Sequence, residues 1–196
     1  MTLKETSRLT SSKALACLRV PNFPWQVEVA RKPELHDRSA IVAGKALDLV
    51  EELTSMPSGS GSGSKASDSL SARVVLAASP DLTDVMPGMP LTEAASRHRG
   101  VLIIEANIPL YALVFDEIIE NLERLVPDIE ATAPGLAYVG IWGLEGLYGD
   151  DAHVVRLLAG AVDGFDLRIG VGNNKWLAYA ASLLSRSNSG RKVTGD

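Results

Sequence analysis

What this chain lacks excludes many classes of function. It has one cysteine, Cys17, in 196 residues, so no internal disulfide can form and a reducing, cytoplasmic home is expected. Cys17 lies in the apolar run Ala14 to Leu18, the setting of a small core residue rather than a nucleophile. His36, His98 and His153 are far apart and have no partners at metal-ligand spacing, so no zinc site is readable. Basic excess is also missing. A net charge of −5 argues against a protein whose main affinity comes from phosphate contacts. Arg186, Arg191 and Lys192 crowd the C-terminal tail, 186–196, which is expected to be solvated and frayed. The first dozen residues lack the apolar middle of a signal peptide, so 1–13 reads as a loose tail.

What the chain does have is enough apolar content, 46%, to bury a core of one domain plus an appendage. Its centre is Ile129 to Gly149. From Ala131 to Leu144 this stretch has fourteen residues without charge, short of the roughly 20 that span a membrane, so no membrane association is expected. Leu136 to Trp142 is rich in β-branched and aromatic residues between Gly-bearing turns, which predicts a strand buried on both faces, with Trp142 in the core.

Around that centre, Ala14 to Val20 predicts a short strand. Pro21 and Pro24 interrupt it, and a short helix runs to Arg31, with Glu28 on its surface. Strands are expected at Arg38 to Ala43, Arg73 to Ser79 and Val101 to Glu105, and helices at Gly44 to Leu53 and Leu91 to His98. The Gly/Ser-rich segment 57–71 is expected to be a flexible surface loop. Pro109 opens a long helix with Leu110, Leu113, Val114, Ile118 and Leu122 inward and Asp116, Glu117, Glu120 and Glu123 outward. Asp150 caps a helix that turns Val154, Val155, Leu158 and Val162 inward. Leu167 to Gly172 is a strand, and Asn174 to Leu184 a final helix. The early strand and the order from Pro109 give a β-α-β-β-α-β set. The fold class is therefore α+β, with a ferredoxin-like antiparallel sheet carrying helices on one face.

Several segments together resemble a known family. They are P-N-F-P-W-Q-V-E from Pro21, V-V-L-A-A-S from Val74, P-G-M-P-L-T-E-A from Pro87 and I-P-L-Y-x-x-V-F-D-E-I from Ile108. L-E-x-L-Y-G-D from Leu144 and R-I-G-V-G-N-N-K-W-L-A-Y-A-A-S from Arg168 complete the set. In this order they are similar to the palm and fingers of Y-family (UmuC-like) DNA polymerases. The resemblance implies a palm over 14–20 and 101–185 and a small α/β fingers subdomain over 21–100. The family's thumb and little finger would follow, and the chain stops before either.

The resemblance also implies where chemistry would sit. The family holds two Mg²⁺ ions on clustered carboxylates over the primer end and the incoming triphosphate. Aligning Gln26 to Glu28 puts the first ligand motif at Arg19-Val20-Pro21. Aligning Ala137-Tyr138 puts the second at Ala133-Pro134-Gly135-Leu136. Arg19, Gly135 and Leu136 offer no carboxylate, so no catalytic residue, no metal site and no cofactor is expected. Glu130, Glu145, Asp150 and Asp151 are the nearby acids that a relocated site would have to gather.

Where the family contacts the triphosphate, Pro80 to Asp84 carries acids. The turn Gly170 to Lys175 is the better match, with Asn174 and Lys175 as candidate phosphate contacts at a helix N-terminus. The same residues also read as a tight strand-to-helix turn with an Asn cap. Trp25 and Trp176 open helices and are expected to pack against sheet.

The whole is similar to the catalytically inactive ImuB-like paralogues. By resemblance it would act as an adaptor in translesion repair, bringing together an active, replicative-type polymerase, an accessory protein and the sliding clamp, with weak or indirect DNA binding. An active nucleotidyltransferase with relocated ligands and a fragment of a larger polymerase-like protein are the alternatives.

Overall fold

The computed structural model describes residues 14–46, 73–149, 151–186 and 189–192. The expected tail 1–13, most of the helix expected at Gly44 to Leu53, the Gly/Ser segment and Asp150 lie outside the described residues. Two compact units emerge, Met1–Pro21 with Phe115–Asp196, and Asn22–Val114.

The first unit is built on a five-stranded sheet in the order β5-β6-β1-β7-β8. Its strands are β1 (Leu15–Arg19), β5 (Ile129–Ala133), β6 (Leu136–Gly140), β7 (Arg168–Gly172) and β8 (Ser189–Lys192). β1 lies antiparallel between β6 and β7, so the short strand at the start of the chain becomes the middle of the sheet. Without β8, the order is that of the ferredoxin-like βαββαβ set. β8 was expected to be frayed tail. It instead pairs parallel with β7, whose outer edge would otherwise leave a row of unpaired backbone groups.

Side chains of neighbouring strand residues point to opposite faces, which sorts the helices. Leu18, Val20, Ala137 and Leu167 share one face. They line a small cavity with Phe115, Ile118 and Leu122 of α3 (Ile108–Glu123) and Val162 just past α5 (Asp151–Ala161). These are the two helices of the ferredoxin-like set. Cys17, Tyr138 and Gly170 belong to the opposite face, where α6 (Lys175–Leu184) packs through Ala178. A short helix, α4 (Glu145–Tyr148), follows β6.

The register of α3 differs from the sequence reading. Tyr111, Phe115, Ile118 and Leu122 are its buried residues, whereas Leu113 is 56% exposed. The aromatic side chains at 111 and 115 offer more apolar area than Leu110 and Leu113, and burying them rotates the stripe.

The second unit carries a three-stranded sheet, β3-β2-β4. β2 (Ala40–Lys45) pairs antiparallel with β3 (Arg73–Ala78) and parallel with β4 (Leu102–Glu105). The boundary drawn at residue 100 therefore moves. The strand expected at Val101 to Glu105 is β4, and it forms an edge of this smaller sheet, not of the palm-like one, by pairing with the side of β2 that β3 leaves open. Ile41, Val75, Leu82, Val85, Leu91 and Ala94 form its core, with α2 (Leu91–Arg97) contributing the last two.

Helix α1 (Phe23–Arg31) starts at Asn22, the one non-glycine residue with positive φ (56°) among the described residues. Asn tolerates that conformation. Its side chain donates to the Ala78 carbonyl (2.6 Å) and accepts from the Ala78 N–H (3.3 Å), fixing α1 to β3. Glu28 is not a surface acid, as the sequence suggested. It is 2% exposed, accepts a hydrogen bond from Tyr111 Oη (2.9 Å) and pairs with Arg31 (3.6 Å). Among the described residues no helix is long and apolar enough to cross a membrane.

Candidate functional site

The strand ends of the larger sheet bring the candidate residues onto one face. Arg19, last in β1, is paired with Leu136 of β6 on one side and Arg168 of β7 on the other. Directly opposed residues share a face and stand about 5 Å apart at Cβ, so two guanidinium groups meet where opposite charge would normally be chosen. Arg168 reaches Asp166 at 3.6 Å. The Nε of Arg19 and that of Arg168 are both buried and make no hydrogen bond. Burial lowers the pKa of Arg19, Tyr179 of α6 opposes that shift, and Arg168 adds to it.

Gly135 sits in the turn between β5 and β6 with φ of 86°. Pro134 followed by a positive-φ glycine is the requirement of a type II turn. The Gly135 carbonyl accepts from Val20 N–H at 2.8 Å, so this residue gives β1 a backbone partner rather than giving a metal a ligand. The fit to Mg²⁺ fails at every aligned position. Arg19 would repel the ion, and Gly135 and Leu136 carry no oxygen on their side chains. Among the described residues no group of three or more His, Cys, Asp or Glu could hold a metal. The side chains of Glu145, Asp150 and Asp151 lie outside the described residues.

Glu130, the remaining nearby acid, is engaged. Lys175 Nζ reaches both of its carboxylate oxygens at 2.5 Å and lies 5.5 Å from the centre of the Tyr138 ring. Tyr138 is the register partner of Glu130, which explains the grouping. Its hydroxyl is pushed up to about 12, first by burial and then by Cys17, and stays protonated at neutral pH.

The turn Gly170 to Lys175 has a packing role of its own. A Cβ on Gly170 would lie 2.1 Å from both the Ala178 oxygen and the Ser182 nitrogen, and one on Gly172 would lie 2.6 Å from the Ala178 nitrogen. Both glycines let α6 rest directly on β7. Asn174 caps that helix, its side chain accepting from Leu177 N–H at 2.9 Å. The turn-and-cap reading thus accounts for Asn174, while the ammonium of Lys175 remains half-exposed beside Glu130. Cys17, buried against α6 with its sulfur 3.8 Å from Ser182 Oγ, is held at a pKa of about 11 by burial and is no nucleophile.

In the smaller unit, the acids of Pro80 to Asp84 are partnered. Asp81 accepts from Ser39 Oγ (2.5 Å), and Asp84 contacts His98 (2.7 Å). Two tryptophans depart from the sequence reading. Trp25 is buried, but Trp142 is 54% and Trp176 74% exposed. Trp142 lies beyond the last residue of β6. Trp176 stands on the outer side of α6, because Ala178, Ala181 and Ser182 take the side facing β7. What the sequence did not reveal is Arg168, since nothing local marks it. Only the β1–β7 register puts it opposite Arg19.

Residues 18–183 match the model of the impB/mucB/samB family. The chain belongs to that family. It carries the palm and fingers region of a Y-family DNA polymerase. A DNA polymerase IV from Dehalococcoides mccartyi (strain CBDB1) is 29% identical over 171 residues, 85% of this chain and 38% of that protein. Among solved structures, DinB from Sulfolobus solfataricus superposes with a TM-score of 0.69 at 17% identity, over 92% of this chain and 48% of that one. An insertion ternary complex of Dbh DNA polymerase gives 0.68 at 18% identity over the same shares. The structural likeness establishes the fold. This member of the impB/mucB/samB family spans about half, or less, of the length of these relatives.

Proposed function

We propose that this chain is a non-catalytic Y-family polymerase-like domain that serves DNA repair, in translesion synthesis, as an adaptor between proteins. One observation carries the first half of that reading. Arg19, flanked by Leu136 and Arg168, stands with Gly135 where the motif alignment puts the family's carboxylates. A divalent cation there would meet two guanidinium groups and a carboxylate, Asp166, already paired with Arg168, so no metal cofactor is assigned. The adaptor half is supported by charge. With a net −5, DNA is held weakly or indirectly, and protein contacts dominate. The partners assigned by the family resemblance are an active, replicative-type polymerase, an accessory protein and the sliding clamp, in the cytoplasm.

Incubation with primer–template DNA, deoxynucleotides and Mg²⁺ or Mn²⁺ tests the catalytic half. No extension above a protein-free control is expected. Extension that disappears in Glu130→Gln would instead establish a relocated active site. Gel filtration with purified clamp and polymerase from the same host tests the adaptor half, and failure of both to co-elute at micromolar concentration removes it.

A further inference from the structure

The like-charge pair at the strand ends is costly for the sheet alone, and its arrangement fits a ligand of opposite sign. Arg19 and Arg168 are direct register partners, yet like charges directly opposite one another destabilise a sheet. Among the described residues, the carboxylate paired with them is Asp166, 3.6 Å from Arg168. A single carboxylate leaves the pair with net positive charge. Both Nε–H groups are buried without an acceptor, although buried donors are normally satisfied. The Oδ1 of Asp166 is buried in the same cluster, so an incoming anion must engage the guanidinium edges turned away from that carboxylate. Arg168 is still 34% exposed along its side chain, so the pair is open to a small solute.

The geometry points to an anion site: Arg19 and Arg168 together bind a phosphate group directly, with no metal, at the place where the family's carboxylates would bind cations. Guanidinium groups suit this ligand because their planar forks match the edges of a tetrahedral oxyanion. A phosphate would supply acceptors for the orphaned donors and cancel the repulsion in one step. Tyr179 of α6 borders Arg19. Lys175 lies on the same face, over Tyr138, the residue two along β6 from Leu136, about 7 Å along the strand. A second phosphate joined to the first would therefore extend toward the Lys175 ammonium, which makes a polyphosphate the favoured form. Its source is either free pyrophosphate or the phosphates of a nucleotide. The inference stands on strand register and burial and needs no adaptor role.

Calorimetric titration of the full chain with inorganic pyrophosphate, and separately with dATP, both in EDTA, tests it. Binding is expected without any divalent cation. Arg19→Gln and Arg168→Gln are each expected to weaken it at least tenfold, and Arg168→Lys, which keeps charge but loses the fork, by an intermediate factor. If dATP binds tenfold more tightly than pyrophosphate, a nucleotide is the source, and equal affinities indicate free polyphosphate. Arg168, whose side chain is 34% exposed, provides the decisive variant should Arg19→Gln fail to fold. No heat in EDTA, binding that appears only with Mg²⁺, or affinity unchanged in Arg168→Gln would overturn the site.

Discussion

Two places on the same face of the larger sheet make different demands on sequence. At the β7–α6 turn, packing requires the residues present: Gly170 and Gly172 are where helix and strand touch, and Asn174 closes the helix. At the ends of β1 and β6, no contact requires a carboxylate at 19, 135 or 136. A turn glycine at 135 and a paired strand residue at 19 satisfy the backbone. A Gly-rich turn can therefore persist for structural reasons after its ligand is gone. Carboxylates that serve only a metal have no such support, so their absence is the more informative feature about function.

The largest expected effect tests the first half of that comparison. Gly170→Ala drives a methyl group into the backbone of α6 and should cost about 3 kcal/mol, read as a shift of the urea midpoint at constant slope. An unmoved midpoint would mean that α6 does not rest on β7 as described, and the turn would regain its value as a sign of phosphate binding.

Next in size is a pH effect at Cys17, which marks how dry this face is beneath α6. Its thiol is raised from 9.0 to about 11 by burial. Below pH 9 the thiol is protonated in both folded and unfolded chains. Between about 9 and 11 the unfolded chain releases the proton and the folded one keeps it, so stability falls as pH rises, by on the order of 2 kcal/mol in all. Comparing how the unfolding free energy changes between about pH 9 and 11 in the wild type and in Cys17→Ala isolates the effect. Identical pH dependences would show that water reaches the sulfur, and the contrast between a dry helix contact and a charged strand end would be lost.

Gly135→Asp asks whether the missing site can be restored one residue at a time. The positive φ at 135 costs a non-glycine residue roughly 1 kcal/mol, less for Asp than for most. We expect that loss in a thermal melt, and no stabilisation by millimolar Mg²⁺, because Arg19 remains beside the turn. Stabilisation by Mg²⁺ in this variant would show that the strand ends still converge on a cation.

These contrasts also explain which features could be read from sequence. The ferredoxin-like order followed from local patterns: the apolar run at Leu136 to Gly140, the Pro-Gly turn before it, and the charge-free faces of the helices. The segments that carry the family resemblance are likewise contiguous. What escaped was non-local. Arg168 acquires meaning from its β1 partner, 149 positions earlier, and β4 joins β2 rather than the larger sheet. Trp142 and Trp176 looked like core residues because aromatic rings generally are, but strand ends and outer helix faces are set by packing elsewhere. Glu28 failed the opposite way, since burial of its carboxylate depends on Tyr111, 83 residues away.

The smallest effect concerns Lys175, which joins the β7–α6 turn to Glu130 of β5. Its ammonium and the Glu130 carboxylate are 50% and 58% exposed, so their short contact is screened and flexible despite its geometry. A double-mutant cycle of Lys175→Met and Glu130→Gln should give a coupling of about 0.5 kcal/mol that shrinks in added salt. Such a coupling corresponds to only about a twofold change in affinity, so a multiply charged phosphate can displace the carboxylate from the lysine. Glu130→Gln should then raise pyrophosphate affinity by about twofold, while Arg168→Gln lowers it tenfold. A coupling several times larger would mean instead that Glu130 holds Lys175 shut, and phosphate recognition would rest on Arg19 and Arg168 alone.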